Sequence, residues 1–346
     1  MHVRKLQKLG TTTIVVSLPR RWVKEKGLKQ GDVVYIEEGI DSITLHTTNR
    51  AQQTFKVTIN AEIEPNPESL ARLVTASYLQ GYDEVRIISQ SGLLQEQIDE
   101  ILAALERLPG FEVLEQTPNR LTIQSIVDPA RFTVDSIMKR MQVMISSMIN
   151  SSIDAVIEGM PEKAAEVSRV ENKVDELYFL VVRQLLLAMR NPSLAKIIGI
   201  DSVPAVTGYR LVSKALEEIG DYALAISKES LNIKRRGRTI DKEILTQIMT
   251  IGEEVSTIFG IAVNAFLTLD FKLINSVFQE LPPLSEKIVR LESELLDKIK
   301  DPQTVISFRL VMRYISEMLD QCRIIAEVSV NKFVRINSRI CVTEVS

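Results

Sequence analysis

The chain has 346 residues, a length suited to two or three domains, and its 45% hydrophobic and 25% charged residues describe a globular composition able to bury cores. The formal charge is −3, yet the first thirty residues hold eight cations against the single acid Glu25, a net +7 that leaves −10 for the remainder. Two cysteines, Cys322 and Cys341, exclude a disulfide framework and a multi-cysteine zinc site and fit a reducing, cytoplasmic setting.

Residues 1–50 are expected to form short strands at Val3 to Lys8, Thr11 to Leu18, Val33 to Glu37 and Ser42 to Thr47, with turns at Gly10, Gly27, Gly31-Asp32 and Gly39. Between them Pro19 to Lys26 suits one or two helical turns, proline at the start and Gly27 at the stop. Such a β-β-α-β-β unit has little core of its own, so a second copy is expected to complete it and a homodimer follows.

Residues 51–128 alternate strand-like and helix-like runs: Phe55 to Ile59, Pro67 to Leu79, Glu84 to Ile88, Leu94 to Leu108, Phe111 to Glu115 and Leu121 to Ile126. That β-α-β-α-β-β order predicts a small α/β domain. Gly81 and Gly92 are single turn glycines rather than a phosphate-cradling loop, which points to a spacer or dimerisation role.

Residues 129–346 lose the strand signals to long apolar-periodic helices. Breaks are expected at Gly159-Met160-Pro161, Asn191-Pro192, Ser202-Val203-Pro204, Lys234 to Arg238, Leu281-Pro282-Pro283 and Asp301-Pro302, which leave six helices. The segment from Tyr209 to Asp221 lies over Phe308 to Asp320 with a constant offset, sharing an aromatic, Arg, Leu, Val, a base, Glu and Asp in step. Two three-helix repeats are expected, at about 130–231 and 238–335.

The cations of the head bracket a strand pair and a short helix, a pattern that suits phosphates as well as a plain solvated face. The stretch Lys8-Leu9-Gly10-Thr11-Thr12-Thr13-Ile14-Val15-Val16-Ser17-Leu18-Pro19-Arg20-Arg21-Trp22-Val23-Lys24, followed by Gly27-Leu28-Lys29-Gln30-Gly31-Asp32, resembles the AbrB/SpoVT/MazE N-terminal domain. That resemblance implies a dimeric barrel of swapped hairpins gripping DNA, with Arg4, Lys5, Lys8, Arg20, Arg21 and Lys24 as the DNA-binding residues.

In the helical part Glu171 and Asp175 are four apart, as are Glu217 and Asp221, so each pair projects two carboxylates from one helix face. Facing pairs would invite a hard metal ion, although Glu96/Glu100 and Glu162/Glu166 share the spacing and read equally well as solvated faces. The segments Glu171-Asn172-Lys173-Val174-Asp175-Glu176-Leu177 and Ala215-Leu216-Glu217-Glu218-Ile219-Gly220-Asp221-Tyr222-Ala223, set in a duplicated three-helix unit, resemble the PhoU family of phosphate-signalling proteins. The resemblance implies a metal cluster of iron, magnesium, manganese or zinc at Glu171, Asp175, Glu217 and Asp221. In the second repeat Ser316 replaces Glu217 and Arg290 follows Glu286, so only Asp320 and Glu292 are expected as remnants.

The two resemblances together imply a phosphate-responsive regulator, not an enzyme. By resemblance, its expected partners are promoter DNA of phosphate-uptake genes and a phosphate transporter ATPase or sensor component. The alternatives are an adaptor that does not bind DNA and a carboxylate-bridged metalloenzyme. His2 and His46 both lie in the head, so the helices lack the histidine of a hydrolytic triad or of a Glu-x-x-His di-iron site. The longest apolar stretch, Leu177 to Met189, is interrupted by Arg183 and falls short of the ~20 residues that span a bilayer, so no membrane insertion is expected. Met138, Met141, Met144 and Met148 fit a helix core, Lys234-Arg235-Arg236-Gly237-Arg238 a solvated loop, and Cys322 a core thiol.

Overall fold

The computed structural model describes residues 3–38, 43–47, 54–235, 241–336 and 338–342. His2, the turn at Gly39, the expected strand start at Ser42, and Arg236, Gly237 and Arg238 of the inter-repeat loop lie outside the described residues. The chain divides into two compact units, Met1–Thr54 and Phe55–Ser346.

In the first unit β1 (Gln7–Leu9) pairs antiparallel with β2 (Thr13–Val15) around Gly10, whose φ of 71° suits a residue without Cβ. Helix α1 (Arg20–Glu25) starts after Pro19, and β3 (Tyr35–Glu38) pairs antiparallel with β4 (Ile43–His46). The strands are shorter than their β-branched runs suggest. They form two separate two-stranded sheets rather than a closed barrel. None of the described side chains in this unit is buried, and Val3, Leu6, Leu9, Ile14, Val33, Ile36 and Ile43 are exposed. Strands of three or four residues cannot cover such side chains from within one chain.

The second unit begins with an α/β layer: β5 (Lys56–Asn60), α2 (Pro67–Leu79), β6 (Glu84–Ile88), α3 (Gln95–Leu105), β7 (Phe111–Thr117) and β8 (Arg120–Ser125). The strand order is β5-β6-β8-β7, with β5 and β6 parallel and the other pairs antiparallel. A crossover helix between β5 and β6 makes the parallel pairing possible. It is started by Asn66, whose Oδ1 accepts from the Ser69 N–H at 2.8 Å, and by Pro67 in the first turn. Leu70, Val74 and Tyr78 of α2 pack with Ile101 of α3 over Val85, Ile87, Leu121 and Ile123 of the sheet.

Helices α4 (Val134–Glu158), α5 (Pro161–Arg190), the short α6 (Pro192–Ile197), α7 (Val203–Arg235), α8 (Lys242–Thr268), α9 (Phe271–Lys298) and α10 (Pro302–Phe333) complete the unit. Side chains of Thr133, Asn191, Asp241, Asp270 and Asp301 each accept a first-turn N–H. Both repeats contribute to one core, running from Met138, Met141 and Met148 on α4 to Met318 and Cys322 on α10. The two repeats meet where α7 packs on α10 and α4 on α8.

One expected break is misplaced. Pro282 and Pro283 lie inside α9, and the real break is at Leu269, which closes α8 in the left-handed conformation (φ 55°) before Asp270 starts α9. Leu281 and Leu284 are buried on either side of the proline pair, so the packed face carries the helix through two missing backbone donors.

Candidate metal centre

Helices α5 and α7 lie side by side in the first repeat, and each presents a pair of acids on the turn facing the other. Glu171 and Asp175 on α5 and Asp221 on α7 each offer a carboxylate oxygen, all within 4.8 Å of one another. Glu217, the fourth expected ligand, is held differently: its carboxylate takes a hydrogen bond and ion pair from the Lys214 ammonium, which also reaches Glu218 at 2.9 Å.

The electrostatics are those of crowded anions. Burial, then the charges of Glu171 and Glu217, push Asp175 up to about 6. Burial and the Asp221 charge raise Glu171, and burial and the Asp175 charge raise Asp221. Burial raises Glu217 as well, against the opposing hydrogen bond from Lys214. Burial disfavours the Lys214 ammonium, but its bonds to Glu217 and Glu218 outweigh that and hold it above the ordinary lysine value.

Lys214 and Arg210 both face the Tyr178 ring. Lys214 Nζ lies 5.8 Å from the centre of the Tyr178 ring and Arg210 Cζ lies 5.0 Å from it, while Arg210 donates to the Tyr178 hydroxyl at 2.5 Å. Arg107, just beyond α3 in the α/β layer, and Lys228 on α7 add favourable charge for Glu171. Sequence spacing held a signal for Lys214, which sits three and four residues before Glu217 and Glu218. Arg107 left none, because it reaches the cluster only through tertiary packing.

An all-oxygen, anionic and half-buried donor set fits a hard divalent or trivalent cation, which would relieve the repulsion that raises these carboxylates. Glu171, Asp175 and Asp221 would hold it, with Glu217 able to join if Lys214 turned away. At the corresponding place in the second repeat, Arg313 pairs with Glu317, Arg290 with Glu286 at 3.2 Å, Asp320 is exposed and Glu292 is half-buried. Among the described residues, that repeat forms no acidic grouping of the kind found on α5 and α7.

The six expected DNA-binding cations of the head are all exposed. Arg4 and Lys5 precede β1, Lys8 lies on it, and Arg20, Arg21 and Lys24 lie on α1. Arg21 is paired with Glu25 at 2.7 Å. Arg20 and Lys24, four apart, share one helix face.

Among the described residues, no helix is long and apolar enough to cross a membrane. No curated protein matches the chain. The crystal structure of PhoU from Pseudomonas aeruginosa is similar at 20% identity with a TM-score of 0.51, over 57% of this chain and 93% of that one. This is a likeness of fold and matches a helical region of this chain. Residues 138–230, which contain all four expected metal ligands, match the family model of the PhoU domain.

Proposed function

We propose that this chain is a cytoplasmic, metal-carrying adaptor of phosphate homeostasis. In this reading it engages a phosphate transporter ATPase or sensor component through its helical unit and acts as a regulator, not an enzyme. The observation that carries the reading is the convergence of Glu171, Asp175 and Asp221 within 4.8 Å, inside the stretch that matches the PhoU domain. A bound cation would supply positive charge that draws α5 and α7 together and sets the shape of the surface offered to a partner. Iron, magnesium, manganese and zinc are all compatible with the donor set.

The test is co-purification of the tagged chain with the transporter ATPase and the sensor component from cells grown in high and low phosphate, alongside metal analysis of the purified protein. Phosphate-dependent recovery of one partner, lost in an Asp175→Asn/Asp221→Asn variant that has also lost its metal, is expected. Recovery of neither partner in either condition would sink the adaptor reading.

A second reading adds DNA binding by an AbrB-like head. Support comes from the exposed cations of β1 and α1 and from the uncovered Leu9, Ile14, Ile36 and Ile43, which a second copy of the hairpins would cover. In this form the chain is a homodimer that also regulates transcription of phosphate-uptake genes. A gel shift on those promoters is expected to weaken steeply with salt, and more gently after Arg20→Gln/Arg21→Gln/Lys24→Gln. Monomeric behaviour in light scattering, or retention of duplex unchanged by the three substitutions, removes this second reading and leaves the adaptor standing.

A further inference from the structure

The α/β layer carries an open cavity of about 430 Å³ at the carboxyl ends of the parallel strands β5 and β6, walled on the far side by the β7–β8 hairpin. Crevices outside the carboxyl ends of strands are where open α/β sheets commonly take ligands. This one is laced together by hydrogen bonds between three loops. Asn119 Nδ2 donates to the main-chain oxygens of Ser89 and Gln90 at 2.9 and 2.8 Å, the Ser89 N–H donates to the Asn119 oxygen, and the Leu93 N–H donates to the Pro118 oxygen. Glu62 accepts from the Ser91 N–H at 2.8 Å and from the Ser89 hydroxyl at 3.5 Å. Those bonds hold its carboxylate below the ordinary glutamate value, so it is ionised at neutral pH.

The charges lining the cavity are two carboxylates, Glu62 and Glu115, and one guanidinium, Arg120. Arg120 and Glu115 lie 3.8 Å apart and are each about half exposed, a loose pair that a ligand bearing both charges can replace. Asn60, Ile88 and Arg120 stand in one cross-strand row, two strand spacings wide. Glu62 follows two residues beyond Asn60, so the backbone that carries it lies about two strand spacings, roughly 10 Å, from that of Arg120. The site thus has an acid and a base at one end and a lone, fixed acid at the other, with a net charge of −1.

We propose that this cavity binds a free basic α-amino acid of the lysine, ornithine or arginine class. The ligand carboxylate meets Arg120, its α-ammonium meets Glu115, and its distal cation reaches Glu62. A net charge of +1 complements the site, and the extended side chain spans the row from Arg120 toward Glu62. The bonds that fix Glu62 and the loop from Ser89 to Gly92 exist before binding, which lowers the ordering cost.

Calorimetric titration of the full chain tests this with lysine, ornithine, arginine, norleucine, which lacks the distal cation, and cadaverine, which lacks the carboxylate. At least one basic amino acid is expected to bind, with norleucine and cadaverine each weaker by about tenfold or more. Glu62→Gln is expected to reduce lysine to the norleucine level while leaving norleucine unchanged. Arg120→Gln is expected to reduce lysine to the cadaverine level, and because Arg120 is exposed this variant keeps the test open if Glu62→Gln loosens the loop. No heat from any of the three basic amino acids at about 10 mM overturns the proposal. Cadaverine binding as tightly as lysine, or lysine affinity untouched by Arg120→Gln, overturns it too.

Discussion

Arg183, two turns before the end of α5, donates through Nη1 to the main-chain oxygen of Tyr78 at 2.6 Å, at the C-terminal end of α2. The same nitrogen donates to the Tyr82 oxygen at 2.9 Å, and the guanidinium stacks over the rings of Tyr78 and Phe111 at 4.9 and 5.2 Å. A buried cation therefore caps the carbonyl end of α2, where the helix dipole favours it. The helix that carries Glu171 and Asp175 is bolted to the α/β layer by this side chain. Arg183→Met preserves much of the volume and removes the donors. It is expected to cost about 3 kcal/mol, because buried carbonyls lose their partner. Urea unfolding measures this, and a loss below about 1 kcal/mol would mean that water replaces the guanidinium.

The carboxylates on α5 and α7 carry a pH signature of opposite sign to the usual acid. Asp175 titrates at about 6 in the folded chain against 3.8 ordinarily, so the folded state binds protons that the unfolded state has released. In metal-free protein this group favours folding below that window and opposes it above, and the contribution is lost as pH rises from 3.8 to about 6. The melting temperature of chelator-treated wild type, taken relative to Asp175→Asn, is expected to fall across that interval. Added Mn²⁺ or Mg²⁺ should restore the wild type at pH 7 and leave the variant less changed. A difference that is flat with pH would show that neither burial nor the neighbouring charges raise Asp175 in the folded chain.

Much of the fold is readable from local pattern, and the places where reading fails share a cause. Pro67 to Leu79 and Glu84 to Ile88 are bounded as expected, because proline, an asparagine cap and β-branched runs are local signals. Leu269 ends α8 with no glycine or proline to mark it, while the conspicuous Pro282-Pro283 pair ends nothing. In both cases burial of one helix face outweighs local preference. At the cluster, spacing offers Glu171/Asp175 and Glu217/Asp221 beside Glu96/Glu100 and Glu162/Glu166, and the PhoU resemblance picks out the first two pairs; neither signal can tell that Lys214 engages Glu217 and leaves three acids converging. The same limit hides Arg183, which reads as a flaw in an apolar run and is the polar bolt between layers.

Cys322 is wholly buried on α10, and burial pushes its thiol up to about 12. A thiol held protonated and enclosed does not react. Cys341 is half-buried outside the helices. A colorimetric thiol reagent at pH 8 should therefore titrate one cysteine in the native chain and both in guanidinium. Rapid modification of both in the native chain would show that α10 opens readily.

Pro282 and Pro283 are exposed, so replacing them sacrifices little packing. Each removes one backbone donor from α9 and crowds the preceding turn, a defect of about 3 kcal/mol in an unsupported helix. The flanking buried residues Leu281 and Leu284 hold α9 against its neighbours, so part of that strain is carried by the core rather than released as a break. Pro282→Ala/Pro283→Ala is expected to raise stability by about 1 to 3 kcal/mol, partly offset by the greater freedom of the unfolded chain without proline. Urea midpoints of the wild type and the double variant measure the change. A gain also separates this strain from a hinge: if α9 bent at the pair to serve partner binding, the stabilised variant should lose recovery of the transporter or sensor component. Unchanged recovery, with a higher midpoint, would leave the prolines as a tolerated cost of the sequence.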